Sequence, residues 1–289
     1  MENVLAEARS LVKEYARGSS SVRVVDNVSL QVRRGETLGI VGESGSGKST
    51  VARIMLRLLE PTAGQVLFAG EDLLQKSPRA LRHLRRRMQV VFQDPYAALD
   101  PRMRIHQILA EPFAIHGVDP EAATLGRTAR QQWVHARLRT MLHEVEMDDD
   151  ALDRYPHQFS GGQRQRINIA RALALKPEFL VLDEPVSALD VSVAAQVINL
   201  LRTLQHQHGL TYLFISHSMP LVRYLCDRVA VMERGRLVEQ GSVLDICERP
   251  QQPYTQRLLA ATPELPTPEL PAPELPTRTG RPVSHYPAP

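Results

Sequence analysis

The chain has 289 residues, 43% hydrophobic, 23% charged and 5% aromatic, an ordinary soluble composition that excludes a wholly disordered protein. No run approaches the roughly 18–20 apolar residues of a membrane helix, and the opening MENVLAEARSLVKEYARG lacks the basic region and apolar core of a signal peptide. A net charge of +3, with 35 basic residues spread along the chain, argues against a nucleic-acid partner; Cys226 and Cys247 make neither a disulfide framework nor a four-ligand metal site.

VSLQV (28–32) and TLGIVG (37–42) are the first predicted strands. The second is almost continuously apolar, as parallel strands buried on both faces are. It runs into Gly42-Glu43-Ser44-Gly45-Ser46-Gly47-Lys48-Ser49-Thr50, which fits GxxxxGK[ST], and an amphipathic helix, STVARIMLRLL, runs out. Strand before and helix after are the context that gives this pattern meaning. The glycines let successive N–H groups turn toward phosphate oxygens at a helix N-terminus that favours anions. Lys48 would reach the β- and γ-phosphates, and the Ser49 hydroxyl would ligate Mg²⁺.

QVLFAG (65–70) and MQVVFQ (88–93) are predicted strands on either side of RALRHLRRRM (79–88), the one dense basic run. Leu81, Leu84 and Met88 recur at helical spacing, which leaves the arginines on a solvated face or against lipid headgroups or a membrane partner. From Gln107 to Glu146 apolar residues keep helical spacing with no strand signal, predicting a mostly helical insertion. Phe159-Ser160-Gly161-Gly162-Gln163 then opens a helix, RQRINIARALAL. Serine and two glycines at a helix start make a second anion-binding nest, although Ser160 also reads as a plain N-cap.

FLVLDEP puts Asp183 at the carboxyl end of a buried strand, where α/β sheets present ligands. Asp183 can hold Mg²⁺, directly or through water, and Glu184 is placed to orient and deprotonate an attacking water. TYLFISH (211–217) and RVAVM (228–232) are further strands, and RVAVMERGRLVEQG reads as a hairpin turning at Arg234-Gly235. Residues 263–289 carry 9 of the 21 prolines and three copies of PELP. With fixed φ and few bulky apolar residues, this tail is expected to be polyproline-like and solvated.

These elements describe an α/β chain with a helical subdomain inserted. They also resemble, in order and spacing, the ATP-binding cassette (ABC) ATPases. That resemblance covers residues 1 to about 245 and implies a P-loop NTPase (RecA-like) core with an antiparallel β subdomain and a helical subdomain at about 94–165. It makes Gly42–Thr50 the phosphate loop, Gln93 the Q-loop glutamine and Mg²⁺ contact, and Ser160, Gly161, Gly162 and Gln163 the signature. Asp183 and Glu184 become the Walker B pair, Asp190 closes the D-loop Ser187-Ala188-Leu189-Asp190, and His217 is the switch histidine on the γ-phosphate. Tyr15 is the implied adenine-stacking aromatic. Three departures stand out: Phe159 where leucine is commoner, Ser218 where an acid usually follows the histidine, and Val186 in a frequent threonine position.

VVFQDPYAALDPRM and RPQQPYTQRLLAATP (249–263) are similar to ATP-binding subunits of dipeptide and oligopeptide importers, a subfamily shared with nickel and glutathione importers. The resemblance implies an importer-type extension at 246–262, followed by the tail at 263–289. It implies ATP and Mg²⁺ as cofactors, two permease subunits docking beside the Q-loop and residues 94–158, and an extracytoplasmic solute-binding protein. A second cassette, a paralogue more often than a copy, would complete the assembly at the cytoplasmic face of the inner membrane. Some relatives carry a C-terminal cysteine cluster for an iron–sulfur centre; only Cys247 stands there, so no cluster is expected. A cassette ATPase acting on nucleic acid or ribosomes is the rival class, and it usually shows coiled-coil insertions, zinc cysteines or paired cassettes that this chain lacks.

Overall fold

The computed structural model describes residues 3–18 and 20–261, so the proline-rich tail lies outside the described residues. Two long strands, β1 (Val4–Arg17) and β2 (Ser20–Arg33), lead to β3 (Thr37–Val41), α1 (Lys48–Met55), β4 (Ala63–Phe68), β5 (Glu71–Asp72), α2 (Pro78–Leu84) and β6 (Met88–Val91). Next come five helices: α3 (Pro95–Ala98), α4 (Ile105–His116), α5 (Pro120–Ala123), α6 (Arg127–Glu144) and α7 (Gly161–Leu173). The chain returns to the sheet with β7 (Phe179–Asp183), α8 (Val191–His208), β8 (Thr211–Ile215) and α9 (Met219–Leu225). A hairpin, β9 (Arg228–Glu233) and β10 (Arg236–Ser242), and two short helices, α10 (Val243–Glu248) and α11 (Pro253–Ala260), complete it.

The larger sheet has the order β10-β9-β3-β8-β7-β6, parallel except for the β9–β10 hairpin. Its three unbroken apolar strands, β3, β7 and β8, are buried at every residue. Alternation then splits their side chains between two cores. Leu38, Ile40, Phe179, Val181, Leu213 and Ile215 join α1 and the smaller sheet, whereas Val41, Leu180, Leu182, Tyr212 and Phe214 join the helical side. The smaller sheet, β2-β1-β4-β5, is antiparallel, so α1 lies between two sheets. Among the described residues no helix is long and apolar enough to cross a membrane.

Where the sequence predicts strands, the structure has them, and the hairpin turns at Arg234 and Gly235, both left-handed with φ of 48° and 85°. Two elements depart from expectation. β1 had no strand signal; it is bulged at several points, with Ser10 at φ 48°, and is held by β2 on one side and β4 on the other. The basic run is helical only in its first part. α2 stops at Leu84, and Met88 opens β6. Four of its arginines are bound inside the protein: Arg82 and Arg86 to the Ile115 and His116 carbonyls at the end of α4, Arg85 to the Arg57 carbonyl at 3.1 Å, and Arg87 to the Glu178 carboxylate. Cations at helix-terminal carbonyls satisfy acceptors that the helix leaves open. These groups are tethers, while Arg79, Arg82 and His83 stay exposed opposite the buried Leu81 and Leu84, as the solvated-face reading expects.

Candidate functional site

The loops leaving β3, β7 and β8 emerge at one carboxyl edge of the parallel sheet, where open α/β folds place ligands. The first is the glycine loop. A Cβ on Gly42 (φ 149°) would meet the Met232 carbonyl oxygen at 2.1 Å, and one on Gly47 (φ 101°) would meet the Val24 oxygen at 2.6 Å. Only glycine allows that curl this close to neighbouring backbone. The β9–β10 turn braces it, since Gly235 N–H donates to the Ser46 carbonyl at 3.0 Å. The Ser46 hydroxyl is buried with no hydrogen-bond partner among the described residues, which suits a loop built to receive acceptor oxygens.

Lys48 begins α1 and is 5% exposed. Its Nζ donates to the carbonyls of Gly42 and Glu43, each at 2.8 Å. Burial pushes its pKa below the ordinary value, while the charges of Glu184 and Asp183 pull it back. A buried ammonium with only carbonyls for company is suited to accept an anion. The Ser49 hydroxyl donates to the Asp183 carboxylate at 2.7 Å. Burial raises the Asp183 pKa above the ordinary value, with the Ser49 hydrogen bond opposing. Hydroxyl and carboxylate oxygens side by side are the hard donors that Mg²⁺ selects, so the residues present fit that ion.

Glu184 follows β7 in a left-handed conformation, φ 48°, with its N–H on the Ile215 carbonyl at 3.0 Å. Such a conformation in a non-glycine residue costs on the order of 1–3 kcal/mol and concentrates at functional sites. Its carboxylate is 18% exposed. One oxygen accepts from Gln93 Nε2 at 3.1 Å, and the other lies 3.5 Å from His217 Nδ1. Three residues from three separate loops thus meet on one carboxylate, next to the Ser49–Asp183 pair.

The signature lies elsewhere. Ser160 caps α7: its hydroxyl accepts the Gln163 N–H at 3.3 Å, and Gln163 Oε1 accepts the Ser160 N–H at 3.0 Å. This is the capping box, so the N-cap reading is structurally true of the isolated chain. Gly162 is packed so closely that an added Cβ would sit 2.3 Å from Val193 Cγ1, at the start of α8. Asp190 caps that helix through the Val193 N–H at 2.9 Å. Among the described residues, Ser160–Gln163 and Asp190 make no hydrogen bond or ion pair with Gly42–Thr50. Sequence reasoning groups all of these as nucleotide contacts; a single chain brings together only the loop, Gln93, Asp183, Glu184 and His217.

Tyr15 is 42% exposed, and the Lys13 ammonium lies 5.1 Å from its ring centre. It pairs with Val22 on the strand pair that also carries Val24, whose carbonyl abuts Gly47. The tyrosine thus stands half-exposed on the strand pair that borders the loop. Phe159 is 4% exposed, the buried support expected of it, and Arg154 lies 4.2 Å over its ring. Ser218 caps no backbone group with its hydroxyl. One residue near the loop escaped sequence reasoning: Tyr254, whose hydroxyl reaches the Glu43 N–H. Its only signal was the motif PYTQRLL, which carries no chemical pattern of its own.

Comparison with known proteins agrees with this geometry. Residues 25–187 match the family model described as ABC transporter. A putative peptide import ATP-binding protein of Brucella ovis is 53% identical over 262 residues, covering 91% of this chain and 80% of that protein. The oligopeptide transport ATP-binding protein OppF of Bacillus subtilis is 47% identical over 264 residues, covering 91% and 84%. Among solved structures, a dimeric ATP-binding cassette in a post-hydrolysis state with ADP and phosphate superposes with a TM-score of 0.72 at 28% identity, over 83% of this chain and 99% of that one. With Gly42–Thr50, Asp183, Glu184 and His217 gathered at one sheet edge and these relatives beside it, the chain belongs to the ABC transporter family of ATP-binding proteins.

Proposed function

We propose that this chain is the ATP-hydrolysing subunit of a peptide importer. The observation that carries it is the Glu184 carboxylate, held by Gln93 at 3.1 Å and facing His217 at 3.5 Å. A carboxylate fixed by an amide donor keeps one lone pair directed at a water and can take its proton. His217, 61% exposed, is free to turn from Glu184 to a γ-phosphate oxygen. Lys48 exchanges its loop carbonyls for phosphate oxygens, and Tyr15 stacks on the base. Mg²⁺, held by Ser49 and Asp183 with Gln93, would neutralise charge on the β- and γ-phosphate oxygens.

The signature acts in a partner's site. Ser160–Gln163 form a nest at an exposed helix start, and Asp190 stands beside it at the next helix start. Two cassettes arranged head to tail would each supply a phosphate loop to one nucleotide and a signature to the other. A paralogous cassette is the expected partner. Residues 1–245 form the cassette, 94–165 its helical subdomain and 246–262 the extension, with the proline-rich segment 263–289 following in sequence. Permeases dock beside Tyr96 and Asp100–Met103, which line a cleft with Glu111 and Arg171. The subunit would then sit at the cytoplasmic face of the inner membrane, with a solute-binding protein delivering solute from outside.

The peptide assignment is supported by the names of the relatives and by PYTQRLL. The test is ATP turnover by the full transporter in proteoliposomes containing MgATP. Binding protein loaded with oligopeptide should raise turnover at least several-fold over empty binding protein. Stimulation by nickel or glutathione instead of peptide would reassign the solute and leave the ATPase reading intact.

A further inference from the structure

PYTQRLL folds into α11 and brings one side chain to the phosphate loop from outside the machinery described above. Tyr254 is 6% exposed, and its hydroxyl accepts the backbone N–H of Glu43 at 3.1 Å. That N–H belongs to the peptide joining Gly42 to Glu43. The carbonyl of the same peptide, on Gly42, accepts Lys48 Nζ at 2.8 Å. A trans peptide is a rigid plate whose N–H and C=O point in opposite directions. Fixing the N–H therefore fixes the carbonyl that the lysine uses.

Tyr254 is itself firmly placed. Pro253, at the first position of α11, pre-sets the helical turn. The N–H groups of Gln251 and Gln252 donate to the two Glu239 carboxylate oxygens at 2.8 and 3.1 Å, tying the start of α11 to β10. Burial would raise the Glu239 pKa, yet these donors hold it below its ordinary value. Tyr254 also joins the helical-side core with Ile246 of α10. A hydroxyl anchored on this base can hold a loop peptide in one orientation.

We propose that Tyr254 is a positioning residue of the nucleotide site. Its hydroxyl fixes the Gly42–Glu43 peptide, and through it the resting place of Lys48, so α11 belongs to the ATP site although it lies 211 residues along the chain. This role rests on the reading of Gly42–Thr50 as the phosphate loop. Phenylalanine fills the same volume without the hydroxyl and leaves the Glu43 N–H without its acceptor.

The test uses the full chain, with dissociation constants for MgADP and MgATP measured by titration calorimetry and the melting temperature taken without nucleotide. Tyr254→Phe should weaken both nucleotides about five- to tenfold, the effect of one lost buried hydrogen bond, with Tm within about 2 °C of the wild type. In the assembled transporter it should raise the KM for ATP and leave kcat within twofold. Arg257→Ala, on the exposed side of the same helix, should change neither constant. Lys48→Ala supplies the reference. If Lys48→Ala does not weaken binding, the phosphate-loop reading fails. If it does and Tyr254→Phe stays within twofold of wild type, the Tyr254 role alone fails. An equal loss in Arg257→Ala, or a fallen Tm with unchanged affinity in Tyr254→Phe, makes α11 a packing element and overturns the proposal.

Discussion

The two anion-binding nests of this chain are built from the same materials and finished differently. Around Gly42–Thr50 the polar groups are tied both within the loop and to distant elements: Lys48 on two loop carbonyls, Ser49 on Asp183 and the Glu43 N–H on Tyr254, with Gln93 and His217 beside the neighbouring Glu184. Around Ser160–Gln163 the polar groups close on themselves in a capping box. One nest is wired to the core of its own chain, and the other is a stable helix start exposed at the surface. The difference teaches which nest is organised by its own chain and which is left open at the surface, where the proposed partner cassette would use it.

Substitutions in the two nests should therefore fail differently. Glu184→Gln gives the largest effect: turnover by the assembled transporter should drop about 10²–10⁴-fold while MgATP binding to the chain persists, because the amide keeps the Gln93 side of the site but takes no proton. Phosphate release and nucleotide titration on the same preparation check it. Lys48→Ala should instead weaken nucleotide binding itself about ten- to a hundredfold, with the loop carbonyls left unpaired.

In the other nest, Gly162→Ala drives a methyl into Val193, 2.3 Å away. Overpacking of this kind costs about 1–3 kcal/mol, so thermal melts should show a clear loss while nucleotide affinity of the isolated chain stays within twofold. A loss of affinity comparable to that of Lys48→Ala would erase the contrast between the nests.

The smallest expected effect lies away from both. Glu178 accepts hydrogen bonds from Arg87 and Arg34, and the Arg87 bond foremost holds its carboxyl below the ordinary 4.5. A carboxyl depressed by folding stabilises the protein above its unfolded pKa and loses that contribution as pH falls through the folded one. Because the pair is partly exposed, Arg87→Met should lower Tm by about 1–2 °C at neutral pH. The difference from wild type should shrink as pH falls through that depressed pKa, because a protonated carboxyl no longer pairs with the guanidinium. A constant difference at all pH values would assign the effect to lost packing against Phe68, which the Arg87 guanidinium covers at 5.0 Å.

The wired nest was also the more legible one in the sequence. β3, β7 and β8 are unbroken apolar runs followed by their functional residues, so strand and site could be read together. β1 could not. Its apolar residues Leu5, Ala8, Leu11 and Val12 fall at three- and four-residue spacings, a helical period, and only pairing with β2 and β4 around several bulges makes it a strand. The tethers made by Arg82, in α2, and Arg86, just beyond it, were hidden for a related reason. Their acceptors are backbone carbonyls of α4, which no side-chain pattern announces. Tyr254 meets the loop across 211 residues, and nothing local to either segment marks that contact.

The most direct test of the two-nest division is complementation in purified transporter carrying two versions of this chain. Ser160→Arg, with bulk and charge at the exposed helix start, and Lys48→Ala, with a disabled loop, are each assayed for ATP turnover alone and then mixed in one assembly. Each alone should be close to inactive, with Ser160→Arg chains still binding MgATP as tightly as wild type within about twofold. The mixture should regain activity, because one of its two sites joins an intact loop to an intact signature from the other subunit. If the mixture stays inactive and isolated Ser160→Arg chains lose MgATP binding as severely as Lys48→Ala chains, both nests serve the same nucleotide within one chain, and the division drawn here is wrong.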